Sequence, residues 1–169
     1  MIQIQRIGDL SWKKVFDIMF MNHPNKAIMQ EAIVLAKAKY KEGGHAVASI
    51  IVRRDEIIAT AFTTVRRDND PTAHAEMNAI RIASKKLGTK LIDCYLYTTY
   101  EPCPMCSSAA IWARMKGIVY GASRDDRTES HPWRIYIPAK EVIERGLSDI
   151  ELYEDFLREE CKALLSLHV

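Results

Sequence analysis

The chain has 169 residues, of which 48% are hydrophobic and 27% charged, and its formal net charge is +2. This length suits one domain with a buried core, and this composition excludes a disordered chain. The sequence contains no apolar run near the roughly 20 residues that cross a bilayer, and its first residues lack a signal-peptide pattern. We therefore expect a cytoplasmic protein with no membrane partner. So small a net charge does not by itself indicate a nucleic-acid-binding surface.

The pattern along the chain divides it into an N-terminal extension, residues 1–24, and a single domain, residues 25–169. Asn25 is a residue type that caps helices, and apolar residues recur after it at helical spacing. We expect this first helix to end at Gly43-Gly44, because glycine is common just beyond helix ends.

The remainder of the domain is predicted to alternate strands and helices. Two apolar runs rich in β-branched residues predict a β-hairpin at its start. The predicted strands are 46–52, 57–65, 93–99, 117–122 and 149–152, and the predicted helices are 72–87, 104–115, a short one after Pro138, and 154–167. This order predicts an α/β fold: a three-layer α/β/α sandwich around a mixed, roughly five-stranded sheet.

Two short motifs contain side chains that bind transition metals. His74 lies at the start of one predicted helix, and Cys103 and Cys106 lie at the start of another. Cysteines at positions i and i+3 are about one helical turn apart, so both sulfur atoms can reach one ion. A helix N-terminus also favours the thiolate that a metal requires. These three residues predict one zinc ion whose fourth position is left for water, as in catalytic sites.

Glu76 is the predicted catalytic residue beside this metal. It lies two residues after His74, so on a helix it points in a different direction and can reach the water rather than the ion. Zinc lowers the pKa of that water, and a carboxylate can pass a proton from it to a departing amine. The order His-x-Glu followed by Pro-Cys-x-x-Cys is a signature of zinc deaminases. A zinc ribbon would need a second pair of cysteines, and a redox motif would not account for His74 or Glu76.

From about residue 25 to 122 the chain resembles the cytidine and deoxycytidylate deaminase superfamily, in particular the branch of bacterial guanine deaminases and tRNA adenosine deaminases. The resemblance rests on NDPTAHAE (69–76), AIR (79–81), YTTYEPCPMC (97–106) and WAR (112–114). It implies a cytidine deaminase-like fold, zinc at His74, Cys103 and Cys106, and Glu76 as the proton shuttle. It also implies a homodimer whose partner helps to close the pocket.

The resemblance further suggests residues that bind substrate. Guanine deaminases carry an acid shortly after the strand that follows the second zinc helix, and Asp125 or Asp126 stands there. Such an acid could accept hydrogen bonds from the N–H groups of a purine. Thr63 stands where both enzyme groups usually have an Asn that contacts substrate, and a hydroxyl lacks the paired geometry of an amide.

Three more residues are candidate substrate contacts. Ala75 and Glu101 lie within the matching motifs. Trp133 is a candidate lid that stacks on a planar base, although it could equally pack the C-terminal segment onto the sheet.

The expected function is hydrolytic deamination of an amino-substituted nucleobase or nucleoside, with guanine to xanthine as the first hypothesis. An alternative is a tRNA adenosine deaminase that makes inosine. The C-terminal helix favours this alternative, but the chain ends in LSLHV without a basic tail for a phosphate backbone. A second alternative is an inactive zinc-binding partner subunit. Thr63 and Ala48, which depart from the family pattern, favour it, whereas the intact Glu76 argues against it.

Overall fold

The computed structural model describes residues 22–54, 56–127, 134–146 and 148–167. Its five strands form one sheet in the order β2-β1-β3-β4-β5, which confirms the predicted mixed five-stranded α/β architecture. They are β1 (Ala48–Arg53), β2 (Glu56–Phe62), β3 (Cys94–Tyr100), β4 (Gly117–Ala122) and β5 (Glu151–Tyr153). Trp133 and residues 1–21 of the predicted extension lie outside the described residues.

The helices of the described part lie between and beside these strands. They are α1 (Lys26–Gly43), α2 (Val65–Asp68), α3 (Ala75–Leu87), α4 (Pro104–Trp112), α5 (Ala139–Arg145) and α6 (Arg158–Lys162), with 3-10 segments at Arg124–Asp126 and Ala163–Ser166. None of these helices has both the length and the apolar character that a membrane span requires.

The sheet is antiparallel on one side and parallel on the other. β1 pairs antiparallel with β2 and β3, which confirms the predicted hairpin. β3, β4 and β5 are parallel, so each step between them needs a crossover, and α4 and α5 lie in the two connections. The carboxyl ends of β3 and β4 therefore lie at the same edge of the sheet, where the chain turns into α4 and into the 3-10 segment.

Alternate side chains of the strands face two separate hydrophobic layers. Ile50 and Tyr97 pack in the layer that contains residues of α1 and α6, whereas Ile51 and Leu96 pack in the layer that contains residues of α3, α4 and α5. All four side chains are fully buried. Burial of one such side chain contributes about 1.5–3 kcal/mol, so both faces of the sheet require a covering layer.

Some element boundaries differ from the predicted ones for local reasons. The second strand was predicted to reach residue 65 but ends at Phe62, because the chain turns into α2. The helix predicted from 72 begins at Ala75, since the Asp70 carboxylate accepts hydrogen bonds from both the N–H and the hydroxyl of Thr72 and closes a turn there.

Two further differences occur at left-handed residues. The helix predicted over 104–115 ends at Trp112, and Arg114 beyond it has a φ of 54°. The helix predicted over 154–167 begins only at Arg158, because Leu157 has a φ of 54° and ψ of 44°. Residues in this conformation do not continue a right-handed helix.

Candidate active site

His74 and Cys103 each occupy the position immediately before the first turn of a helix. The carbonyl of His74 accepts the N–H of Asn78 at 2.9 Å, and the carbonyl of Cys103 accepts the N–H of Ser107 at 2.9 Å. Both residues have extended backbone angles, and Pro104 takes the first position of α4. The positive ends of the dipoles of α3 and α4 therefore lie at the metal-binding side chains and stabilise negative charge on sulfur.

Three ligand atoms form a nearly equilateral triangle. The Sγ atoms of Cys103 and Cys106 are 3.6 Å apart, and each lies 3.6 Å from Nδ1 of His74. Tetrahedral zinc with bonds of about 2.3 Å to sulfur and about 2.0 Å to nitrogen separates two sulfurs by about 3.8 Å and sulfur from nitrogen by about 3.5 Å. The donor set and its spacing therefore fit one zinc ion, as predicted, and Nδ1 is the nitrogen that lies near the two sulfurs.

The two thiols have opposite pKa shifts. The hydrogen bond between the two sulfur atoms is the main reason why the pKa of Cys103 falls to about 4. The same hydrogen bond, together with burial, raises the pKa of Cys106 above its usual range. The hydrogen bond with Cys103 is also the largest cause of the raised pKa of His74.

Glu76 is the second residue of α3 and lies beside the triangle. Its side chain is almost completely buried, and this burial raises the pKa of the carboxyl to about 7, an effect that the nearby His74 opposes. A carboxyl group whose pKa lies near neutrality can both accept and release a proton at ordinary pH. Glu76 is therefore a candidate general acid and base.

A cavity of about 380 Å³ opens onto the triangle and Glu76. Its wall includes His74, Cys103 and Glu76, and also Thr63, Ala75 and Glu101. Small-molecule sites commonly measure about 300–1,000 Å³, so this cavity can hold a ligand of nucleobase or nucleoside size.

Thr63 and Ala75 lie on the cavity wall, and both are buried. The hydroxyl of Thr63 donates a long hydrogen bond of 3.4 Å to the carbonyl of Ala73. The structure thus brings the residue that replaces the usual Asn to the same cavity as the metal-binding side chains.

Glu101 also lines the cavity, but its carboxylate is engaged by the protein. One oxygen accepts the N–H of Arg124 at 2.9 Å and the hydroxyl of Ser123 at 3.3 Å, and the other accepts the N–H of Ala139 at 2.9 Å. Glu101 therefore joins the end of β3 to the 3-10 segment and to α5.

The structure places Asp125 and Asp126 outside the cavity wall. Asp125 is exposed. The carboxylate of Asp126 is only 3% exposed and accepts two hydrogen bonds of 3.0 Å from the guanidinium of Arg158. It also forms an ion pair with Lys162 and accepts the N–H of Ser123. In this arrangement Asp126 faces α6 rather than the metal-binding residues.

Two kinds of residue at the site were missed in the sequence. Asn78, one turn after His74, donates from its amide to the carbonyl of Phe62 and to the hydroxyl of Thr64, which ties α3 to the end of β2.

The second kind is a group of arginines that lines the cavity together with Tyr100: Arg124, Arg127 and Arg134. The signal in the sequence is the number of arginines in the segment after β4, which also contains the acids Asp125 and Asp126.

Known proteins with this pattern of residues perform related chemistry. The profile of the cytidine and deoxycytidylate deaminase zinc-binding region matches residues 22–122. A guanine deaminase from Bacillus subtilis (strain 168) is 45% identical over 112 residues, which are 65% of this chain and 70% of that protein. A tRNA-specific adenosine deaminase from Aquifex aeolicus (strain VF5) is 42% identical over 95 residues, which are 56% and 63% of the two chains. The solved structure of a guanine deaminase from Nitrosomonas europaea has a TM-score of 0.72 and 27% identity, and the match covers 98% of this chain and 96% of that one.

Proposed function

The chain belongs to the cytidine and deoxycytidylate deaminase family, and from this membership we propose that it releases ammonia by hydrolysis from an amino-substituted nucleobase or nucleoside. The observation that carries the proposal is the triangle of His74, Cys103 and Cys106 in the same cavity as the buried carboxyl of Glu76. Guanine to xanthine is the first conversion to test, because a guanine deaminase is 45% identical to this chain.

The metal centre and Glu76 have separate tasks in this reaction. His74, Cys103 and Cys106 would hold zinc, which when bound supplies a Lewis acid that makes water nucleophilic near neutral pH. Glu76 accepts a proton as the oxygen of water bonds to the carbon that bears the amine. The same carboxyl then delivers a proton to the amine nitrogen, the C–N bond breaks, and ammonia leaves. Water supplies every atom that the product gains, so no oxidant or reductant is needed.

A second candidate function is deamination of adenosine to inosine in a tRNA. It is favoured by the tRNA-specific adenosine deaminase that is 42% identical to this chain over 95 residues. In that reaction the target base must leave its stack to enter the cavity, and the flanking nucleotides must bind outside it. Binding would therefore weaken steeply as the salt concentration rises.

The test is ammonia release by the full chain loaded with zinc. The panel contains guanine, adenine and cytosine, their nucleosides and a tRNA anticodon stem-loop, with inosine measured separately in the RNA. We expect release from a free purine base or its nucleoside. Inosine formation in the stem-loop alone would support the second function instead. Absence of ammonia from every substrate, despite full zinc occupancy, would contradict both and leave the inactive zinc-binding subunit.

A further inference from the structure

Three arginine side chains share the wall of the cavity that holds the metal-binding residues: Arg124, Arg127 and Arg134. The guanidinium group of Arg127 lies 5.3 Å from the ring centre of Tyr100. All three positive charges act on the Tyr100 hydroxyl, whose pKa is raised by burial and lowered by these guanidinium groups. The three cations therefore converge on one region of the cavity.

The guanidinium groups of Arg124 and Arg134 differ in their hydrogen bonds to the protein. Arg124 donates to the carbonyls of Ile135 and Ile137, so its guanidinium group fixes the neighbouring segment. Arg134 lies at the start of that segment. Its guanidinium group has no hydrogen bond or ion pair to another residue in the part of the chain that the structure describes. Arg134 nevertheless lines the same cavity as His74 and Cys103, so its positive charge lies beside the space where a substrate would bind.

The cavity wall has fewer carboxylates than guanidinium groups among its described residues. Glu76 and Glu101 are the two carboxylates among the described residues of the wall, against three guanidinium groups. Glu101 accepts its hydrogen bonds from two backbone N–H groups and a hydroxyl, not from a guanidinium group. Zinc with two thiolates would add no net charge. The cavity wall therefore has an excess of positive charge next to the place where the base must bind.

We propose that the substrate carries a phosphate group that Arg127 and Arg134 bind, so that the protein acts on a phosphorylated nucleoside in preference to the free base. The proposal rests on the proposed function and defines its substrate class. Guanidinium groups bind phosphate through pairs of charge-assisted hydrogen bonds, and they keep their charge at every relevant pH. The arginines belong to the wall of the cavity, and the whole chain has a net charge of only +2. This arrangement favours a mononucleotide inside the cavity over a long phosphate backbone outside it.

The test compares kcat/KM for three forms of one base: the free base, its nucleoside and its nucleoside 5′-monophosphate. Guanine, guanosine and guanosine 5′-monophosphate are the first set, followed by the same forms of adenine and cytosine. We expect the monophosphate to be the best substrate. Arg134→Gln should lower kcat/KM for the monophosphate by about 10- to 100-fold, because it removes hydrogen bonds to a charged group. The loss for the nucleoside should be at least about 10-fold smaller, since no phosphate contact is lost there.

Arg145→Gln is the matched control, because Arg145 is 78% exposed on α5 and pairs only with Glu141 among the described residues. This variant should leave both substrates unaffected. Calorimetric titration with guanosine 5′-monophosphate gives a readout independent of turnover, and its affinity should fall in Arg134→Gln alone.

The inference would be overturned by equal losses for the nucleoside and the monophosphate, or by a free base that remains the best substrate. Turnover of only the RNA stem-loop would overturn it too. If a free base is deaminated and Arg134→Gln has no effect, the proposed function stands without the phosphate site. If no substrate releases ammonia, the proposed function itself fails.

Discussion

His74 and Glu76 lie two residues apart, yet they have different surroundings. His74 precedes the first turn of α3 and directs Nδ1 at the two sulfur atoms, whereas Glu76 lies within that turn and is buried beside them. A carboxylate at this distance along the helix adds no fourth donor to the group formed by His74, Cys103 and Cys106. A zinc ion held by these three residues would therefore keep a position for a reacting molecule, and we propose that Glu76 transfers the protons.

Exchange of Glu76 for Gln should separate catalysis from metal binding. Gln keeps the size of the side chain but cannot accept and return a proton, so kcat/KM should fall by about 100- to 10,000-fold. Zinc content, measured by elemental analysis, should stay near one ion per chain, because all three ligands remain. Cys103→Ser is the comparison: it removes one ligand and should lose both metal and activity. A Glu76→Gln variant with normal turnover would contradict the proton-transfer role.

At the scale of elements, Asp126 is the main link between the segment after β4 and the helix α6. Arg158 on α6 holds its carboxylate with two hydrogen bonds, and Lys162, one turn further, adds an ion pair. On the other side, Asp126 accepts the N–H of Ser123 at the end of β4. Arg124 and Arg127, which line the cavity, lie on either side of Asp126 in the sequence. By holding Asp126, α6 therefore helps to position the cavity wall without lining it.

This link predicts a pH-dependent contribution to stability. The hydrogen bond from Arg158 is the main cause that holds the pKa of Asp126 below its usual 3.8 in the folded protein. A carboxyl with a lowered folded-state pKa stabilises the fold above its unfolded-state pKa, and this stabilisation is lost as the pH falls through the folded-state value. Asp126→Asn should therefore lower the free energy of unfolding at pH 7 by about 1.5–3 kcal/mol. The difference from the unaltered protein should shrink as the pH falls below 3.8.

Urea unfolding at pH 7 and at a series of lower pH values measures this difference. Asp125→Asn is the matched control, because Asp125 is exposed one residue away, and it should change the free energy of unfolding little at any pH. Equal effects of the two substitutions at pH 7 would argue against a stabilising role of the Asp126–Arg158 pair.

At the scale of the whole molecule, one large apolar side chain stands apart from both hydrophobic layers. Trp112, the last residue of α4, is 85% exposed, although the same helix carries the buried Cys106. Large aromatic side chains are enriched in protein interfaces, where one of them can supply much of the binding free energy. This position agrees with the homodimer expected from the family resemblance, with the partner close to the metal-binding helix.

Exchange of Trp112 for Ser should weaken self-association and leave the fold intact. We expect the dimer dissociation constant from sedimentation velocity to rise by about 10-fold or more, because a truncated aromatic anchor typically costs 2 kcal/mol or more. Val34→Ser is the control, since Val34 is 66% exposed on α1, in the opposite layer of the fold. If the unaltered chain sediments as a monomer at every concentration, the homodimer hypothesis fails. An unchanged dimer in the Trp112 variant would place the interface elsewhere.

The sequence by itself determined the fold class and the metal ligands. Runs of β-branched residues and helical spacing are local patterns, so they predicted the hairpin, α1 and the mixed sheet within a few residues. Cys103 and Cys106 lie one helical turn apart, and that geometry follows from the helix alone. The spacing between His74 and the cysteines matched a known pattern, which brought the third ligand to the same ion before any tertiary contact was known.

Only the tertiary structure decided how the other polar residues near the site are used. Glu101 is bonded to partners 22, 23 and 38 residues away, and Asp126 to Arg158, 32 residues away. Arg127 lies over the ring of Tyr100, which is similarly distant from it along the chain. Such pairings depend on the path of the backbone, because hydrogen bonds and charges act through space and have no fixed spacing in sequence. For this reason the zinc ligands could be predicted from two short motifs with a known spacing, whereas the charge of the surrounding cavity emerged only from the packed sheet and helices.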